Sequence, residues 1–161
     1  MHPIVVLVLR VELFLLLLGS LVLQAAMPTI AAEQASAFPE VDHLATPYTV
    51  LAIAAIAAVQ VAMLVVWRLL TLIAESELTT RRGLRCLDAI TASIAVATAL
   101  TAGTLLHLLA VVGVGGPGAV LAFLGSTAVG TALVVLLRVV RGAQATAIDD
   151  REPAAGPMAR A

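Results

Sequence analysis

PYTVLAIAAIAAVQVAMLVVWRLLT, residues 47–71, decides the fold. Between Thr49 and Arg68 the only amide, acid or base is Gln60. About 20 apolar residues make one helical crossing of a bilayer core. Tyr48 and Trp67 stand near the two ends of this stretch, where amphipathic rings anchor at the membrane interface. A transmembrane helix is therefore expected over about residues 48–73.

Working outward, three further stretches meet the same length requirement, at about 4–27, 87–112 and 119–140. The whole chain of 161 residues is 61% hydrophobic and 12% charged, with mean hydropathy +1.10, too apolar for a water-soluble domain. These features predict an all-α, integral membrane four-helix bundle over residues 1–147 and a short flexible cytoplasmic tail over 148–161. PTIAAEQASAFPEVDHLATP (28–47), broken by Pro28, Pro39 and Pro47, reads as a long outer loop between helices one and two. GVGGPG (113–118) is so short that helices three and four must form an antiparallel hairpin with a tight outer turn. The first stretch lacks a basic leading segment and a well-placed cleavage site, so it is expected to stay as an uncleaved helix.

All nine basic residues are arginines, and their placement sets an orientation. Four lie between Arg68 and Asp88, four from Arg138 onward, and the last is Arg10. Residues 28–47 carry only Glu33, Glu40 and Asp42, and the turn at 113–118 carries no charge. In a four-span topology every arginine then falls on the side shared by both termini, and arginine marks the cytoplasmic side. The expected location is the cell (plasma) membrane, multi-pass, with both termini cytoplasmic.

Arg10 and Glu12 interrupt the apolar run VLVLRVELFLLLL (6–18). Positions two apart on a helix point about 200° apart, so the pair cannot face one another. Arg10 is expected to snorkel to the inner headgroups. Glu12 has a shorter stem and is expected to face the bundle and meet Arg68, Arg138 or Arg141 from another helix. Together with Asp88, which has Arg85 three residues before it, these residues form a candidate inner-face charge cluster. It acts either as a static belt fixing register or as a responsive site built on Glu12 or on the arginines.

Gln60 lies about 12 Å deeper than Arg68 along its helix and is the candidate interhelical hydrogen bond. His43 and His107 are weak metal candidates, since they would need to converge with Glu40 or Asp42; no metal site is assigned and no cofactor is implied. RRGLR (81–85), beside Glu75 and Glu77, is a weak basic motif for lipid headgroups. Cys86 is the only cysteine, which excludes an intrachain disulfide, and five aromatic residues leave little for stacking nucleobases. Nucleic acid is therefore not an expected partner; membrane lipid is, together with another membrane protein or a second copy of the chain. Small-residue faces at Ala54/Ala58/Ala62, Ala95/Ala99/Gly103 and Ala122/Ser126/Gly130 mark expected close helix contacts. Helix one has none and is expected to be the most lipid-exposed.

The second helix from its PY start to VWRLLT, the LD that opens helix three, LLHLLAVVGVGGPG and RVVRGAQAT resemble a family of small four-span bacterial membrane proteins, common in actinobacteria and known as a domain of unknown function, DUF2975-like. The resemblance covers roughly residues 4–147. It implies a four-helix membrane protein and carries no catalytic residue. Relatives are often encoded beside a small helix-turn-helix regulator, which implies a regulatory or sensory role. The tail AIDDREPAAGPMARA departs from the acidic amphipathic stretch of those relatives and weakens any partner contact made there. The expectation is a non-enzymatic accessory, sensory or regulatory subunit acting through helix packing and its arginine face. The rival is a small oligomeric proton-coupled transporter using Glu12.

Overall fold

The computed structural model describes residues 3–37, 39, 42–74, 81–113 and 115–149. They form four long helices: α1 (Pro3–Ala37), α2 (Asp42–Ala74), α3 (Arg81–His107, continued by a wider π turn over Leu108–Val112) and α4 (Pro117–Asp149). All four are long and apolar enough to cross a membrane. Within lipid each helix satisfies its own backbone hydrogen bonds, and for that reason greasy stretches of this length take no other form. At 1.5 Å per residue, a helix of about 33 residues is roughly 50 Å long, beyond a hydrocarbon core of about 30 Å. The helices therefore extend past the core or tilt within it.

The segment read as a long loop is mostly helix. α1 continues through Pro28 to Ala37 and α2 already starts at Asp42, so the connection is residues 38–41, of which Pro39 alone is described. Pro28 and Pro47 each remove one backbone donor but do not end their helices. The reason is local composition: Ala31, Ala32, Glu33, Gln34 and Ala35 after Pro28 are strong helix formers. Ser36 donates back to the carbonyl of Glu33 at 2.8 Å and Thr49 to that of Ala45 at 2.7 Å, which ties both hydroxyls to their own helix. At the other end of the chain α4 runs to Asp149, two residues into the segment read as tail; the rest of that tail lies outside the described residues.

Packing follows chain order: α1 lies on α2, α2 on α3 and α3 on α4. The core is the seam between α2 and α3, where Ala62, Leu70, Leu72, Leu87, Ile90 and Ala97 are buried. α1 presents a long row of exposed apolar side chains, from Ile4 through Leu23. The small-residue faces are used unevenly. Ala62 and Gly130 are buried, but Ala54, Ala95, Ala99, Gly103 and Ala122 are exposed. On α3 the packed face carries Ile90, Thr91 and Ala97 instead, because the helix is rotated to bring Thr98 against Gly130 of α4. The α3–α4 turn needs glycine twice. Gly113 adopts φ 70°, its N–H capping the carbonyl of Leu108, and Gly115 adopts φ 146°.

Candidate functional site

The arginines among the described residues gather at one end of the bundle, but not in the expected pairs. Arg10 turns inward, toward α2, where its Nη2 donates to Thr71 Oγ1 at 3.4 Å and its Nε is buried without an acceptor. Glu12, two residues on, stands on the opposite, exposed face of α1. Among the described residues it meets none of Arg68, Arg138 or Arg141. The expected roles of this pair are thus exchanged: the long base packs and the short acid faces outward. The cause is the rotation of α1, whose side chains Leu13, Leu17, Ser20 and Gln24 face the neighbouring helices.

Asp88 is paired across helices rather than along its own. Both carboxylate oxygens accept from Arg141 of α4, Nη2 lying 3.1 Å from Oδ2 and Nε bonding Oδ1. This is a bidentate fork, more directional than the i−3 contact with Arg85 that the sequence suggests. Arg138 and Arg141 line a cavity of ≈ 460 Å³ with Asp88 and Thr91. Arg68 lies apart from them, on an exposed face of α2, and shares a second cavity with Arg82 and Arg85 of α3. Glu75 and Glu77, read beside these arginines, lie outside the described residues.

Deeper in the bundle Gln60 ties α2 to α1. Its Nε2 donates to Ser20 Oγ and to Gln24 Oε1, both at 3.1 Å, and Gln24 Nε2 donates to the carbonyl of Ile53 at 3.3 Å. Ser20 and Gln24 were not singled out from the sequence. Their spacing of four from each other on α1 is the signal that could have found them. At the opposite end His107 contacts Tyr48. Its Nδ1 lies 2.8 Å from the hydroxyl of Tyr48, the two rings meeting edge to face. Tyr48, read only as an interface anchor, is therefore also an interhelical contact, and His43 is exposed on the first turn of α2. Among the described residues no three metal-ligating side chains gather.

Between the helices lies an open, mainly apolar groove of ≈ 480 Å³ to which Leu13, Ala62, Ile94 and Leu133 each bring one wall. No acid or base lines it.

The family described as "Protein of unknown function (DUF2975)" matches residues 29–154. The match runs from the last part of α1 through α4 and starts later than the resemblance read from the sequence, leaving Arg10, Glu12, Ser20 and Gln24 outside it. Among curated proteins and among solved structures, none matches the chain.

Proposed function

Since the chain belongs to the DUF2975 family, whose description names no activity, we propose from its geometry that it is a non-enzymatic accessory or regulatory subunit that docks on another membrane protein through the first third of α1. Its arginine end faces the cytoplasm with both termini, by the positive-inside rule, and holds the subunit at a defined depth in the cell membrane.

One observation carries this reading: Glu12 is exposed among Val5, Val8, Leu15 and Leu16 with no partner among the described residues. Consider where the bilayer core begins. If it takes in residues 4–24, an unpaired carboxylate faces lipid at a cost of about 2.5–3.5 kcal/mol on insertion scales. If it begins beyond Glu12, Ile4 and Leu7, 62% and 63% exposed, are left uncovered in water. Either register leaves the same surface unsatisfied. A partner helix with a basic or hydrogen-bond-donating side chain at that depth satisfies both.

The transporter reading needs Glu12 in a solvated path. The groove between the helices is lined by Leu13 from α1 and by no acid, so nothing in a single copy favours it. The test is photo-crosslinking in native membranes from Val8 or Leu15, on the Glu12 face, with Leu17 on the α2-facing side as control. A defined adduct to a different membrane protein from the first two positions, weakened by Glu12→Gln, is the expected result. Adducts only to lipid would refute it. Proton-coupled uptake by reconstituted vesicles that disappears in Glu12→Gln would replace it with the transporter.

A further inference from the structure

The cavity between α2 and α3 at the arginine end holds ≈ 360 Å³ and is lined by Arg68, Arg82 and Arg85 together with Val65, Leu72, Cys86 and Ala89. We propose that it is a binding site for the phosphate headgroup of an anionic membrane phospholipid, held by Arg68 and Arg85 with Arg82 at its rim. The docking reading given above for α1 is not needed for it, since the cavity is on other helices.

Arg68 of α2 and Arg85 of α3 line one space, and like charges brought together repel unless an anion compensates them. Arg68 and Arg85 have no acceptor or carboxylate among the described residues, although Asp88 is on the turn next to Arg85. That acid is engaged by Arg141 in a two-point fork. Its capture leaves the two arginines of α2 and α3 uncompensated on the cavity side. Guanidinium forks match the oxygens of a phosphate, and basic pockets between membrane helices bind such headgroups.

A free phosphate offers the same oxygens, so the other walls decide between the two sources. Val65, Leu72, Cys86 and Ala89 are apolar, and Leu72 and Cys86 are buried. A soluble ion gains nothing from them. A lipid covers them with its glycerol and first methylenes while its phosphate meets the arginines.

The test uses the full chain purified in mild detergent and titrated with phosphatidylglycerol or phosphatidylcholine, with bound lipid counted by native mass spectrometry. Phosphatidylglycerol is expected to bind more tightly. Arg68→Gln and Arg85→Gln are each expected to weaken it roughly fivefold, as one arginine near an anionic surface is worth, and to leave phosphatidylcholine binding unchanged. Arg81→Gln removes the same charge from a residue that does not line the cavity and is expected to leave both lipids bound as before. Equal losses in all three variants, or none in the first two, would overturn the proposal. Displacement of phosphatidylglycerol by an equal concentration of inorganic phosphate would overturn the lipid assignment. Should a glutamine variant lose both lipids through misfolding, Arg68→Lys and Arg85→Lys decide: they keep charge but not the fork, so weaker yet still selective binding supports the site and unchanged binding overturns it.

Discussion

Gly130→Ala adds one carbon where α4 crosses α3. A Cβ built there would lie 2.8 Å from Thr98 Cβ and nearer still to its Oγ1 and Cγ2. Carbon atoms rest at about 3.5–4.0 Å, so the helices must part by about 1 Å. Rotating Thr98 does not relieve the clash, because its Cβ is itself too close and its hydroxyl is tied to the carbonyl of Ile94 at 2.8 Å. Overpacking of this kind costs about 1–3 kcal/mol, and each 1.4 kcal/mol is about tenfold in the unfolding equilibrium. The assay is denaturant unfolding in micelles followed by far-ultraviolet circular dichroism, on wild type, Gly130→Ala, Thr98→Ala and the double variant. Thr98→Ala removes the two nearest atoms, Oγ1 and Cγ2, but keeps the Cβ at 2.8 Å, so the double variant should recover part of the penalty, a coupling that a mutant cycle isolates. A Gly130→Ala protein as stable as wild type, or a penalty undiminished once the hydroxyl and methyl of Thr98 are gone, would refute the crossing described here.

Three further outcomes are expected. Gln60→Leu keeps side-chain volume but removes both bonds to α1, to Ser20 and Gln24, and should cost about 0.6–2 kcal/mol in the same unfolding assay; no change would show that α1 is held by apolar contact alone. Gly115→Ala puts a Cβ 2.9 Å from Leu109 Cδ2 at a φ of 146°, and should destabilise the α3–α4 turn by about 1–3 kcal/mol, read as faster amide exchange around residues 113–119. Pro28→Ala restores a donor for the carbonyl of Gln24 within α1 and should raise stability and slow amide exchange over residues 29–37; an unchanged exchange pattern would return that segment to a loop.

The pairing of Asp88 with Arg141 shows why charge contacts at the arginine end were harder to read than its location. Sequence spacing offers neighbours along one helix, and Arg85 is such a neighbour. Arg141 is 53 residues away and reaches Asp88 only because α3 and α4 pack as they do. Arg10 and Glu12 teach the same lesson on α1. That the two must point apart follows from helical geometry, but which one faces α2 depends on how the helix is turned. Gln60 was legible as a polar group in a greasy span, and its acceptors Ser20 and Gln24 were not.

The sequence by itself determined the number of helices, their membrane-spanning character and the end at which the arginines collect. These are sums over local stretches of chain: hydropathy and length require a helix that bonds its own backbone, and arginine content needs no knowledge of neighbours. Only the tertiary structure decided which faces meet, where α1 ends and α2 begins, and that three arginines line one cavity. In a water-soluble helix an apolar stripe announces the buried side. Here lipid-facing and packed residues are equally apolar, so rotation is set by shape and a few polar contacts, such as Gly130 against Thr98 and Gln60 against Ser20 and Gln24, which arise only once the helices are side by side.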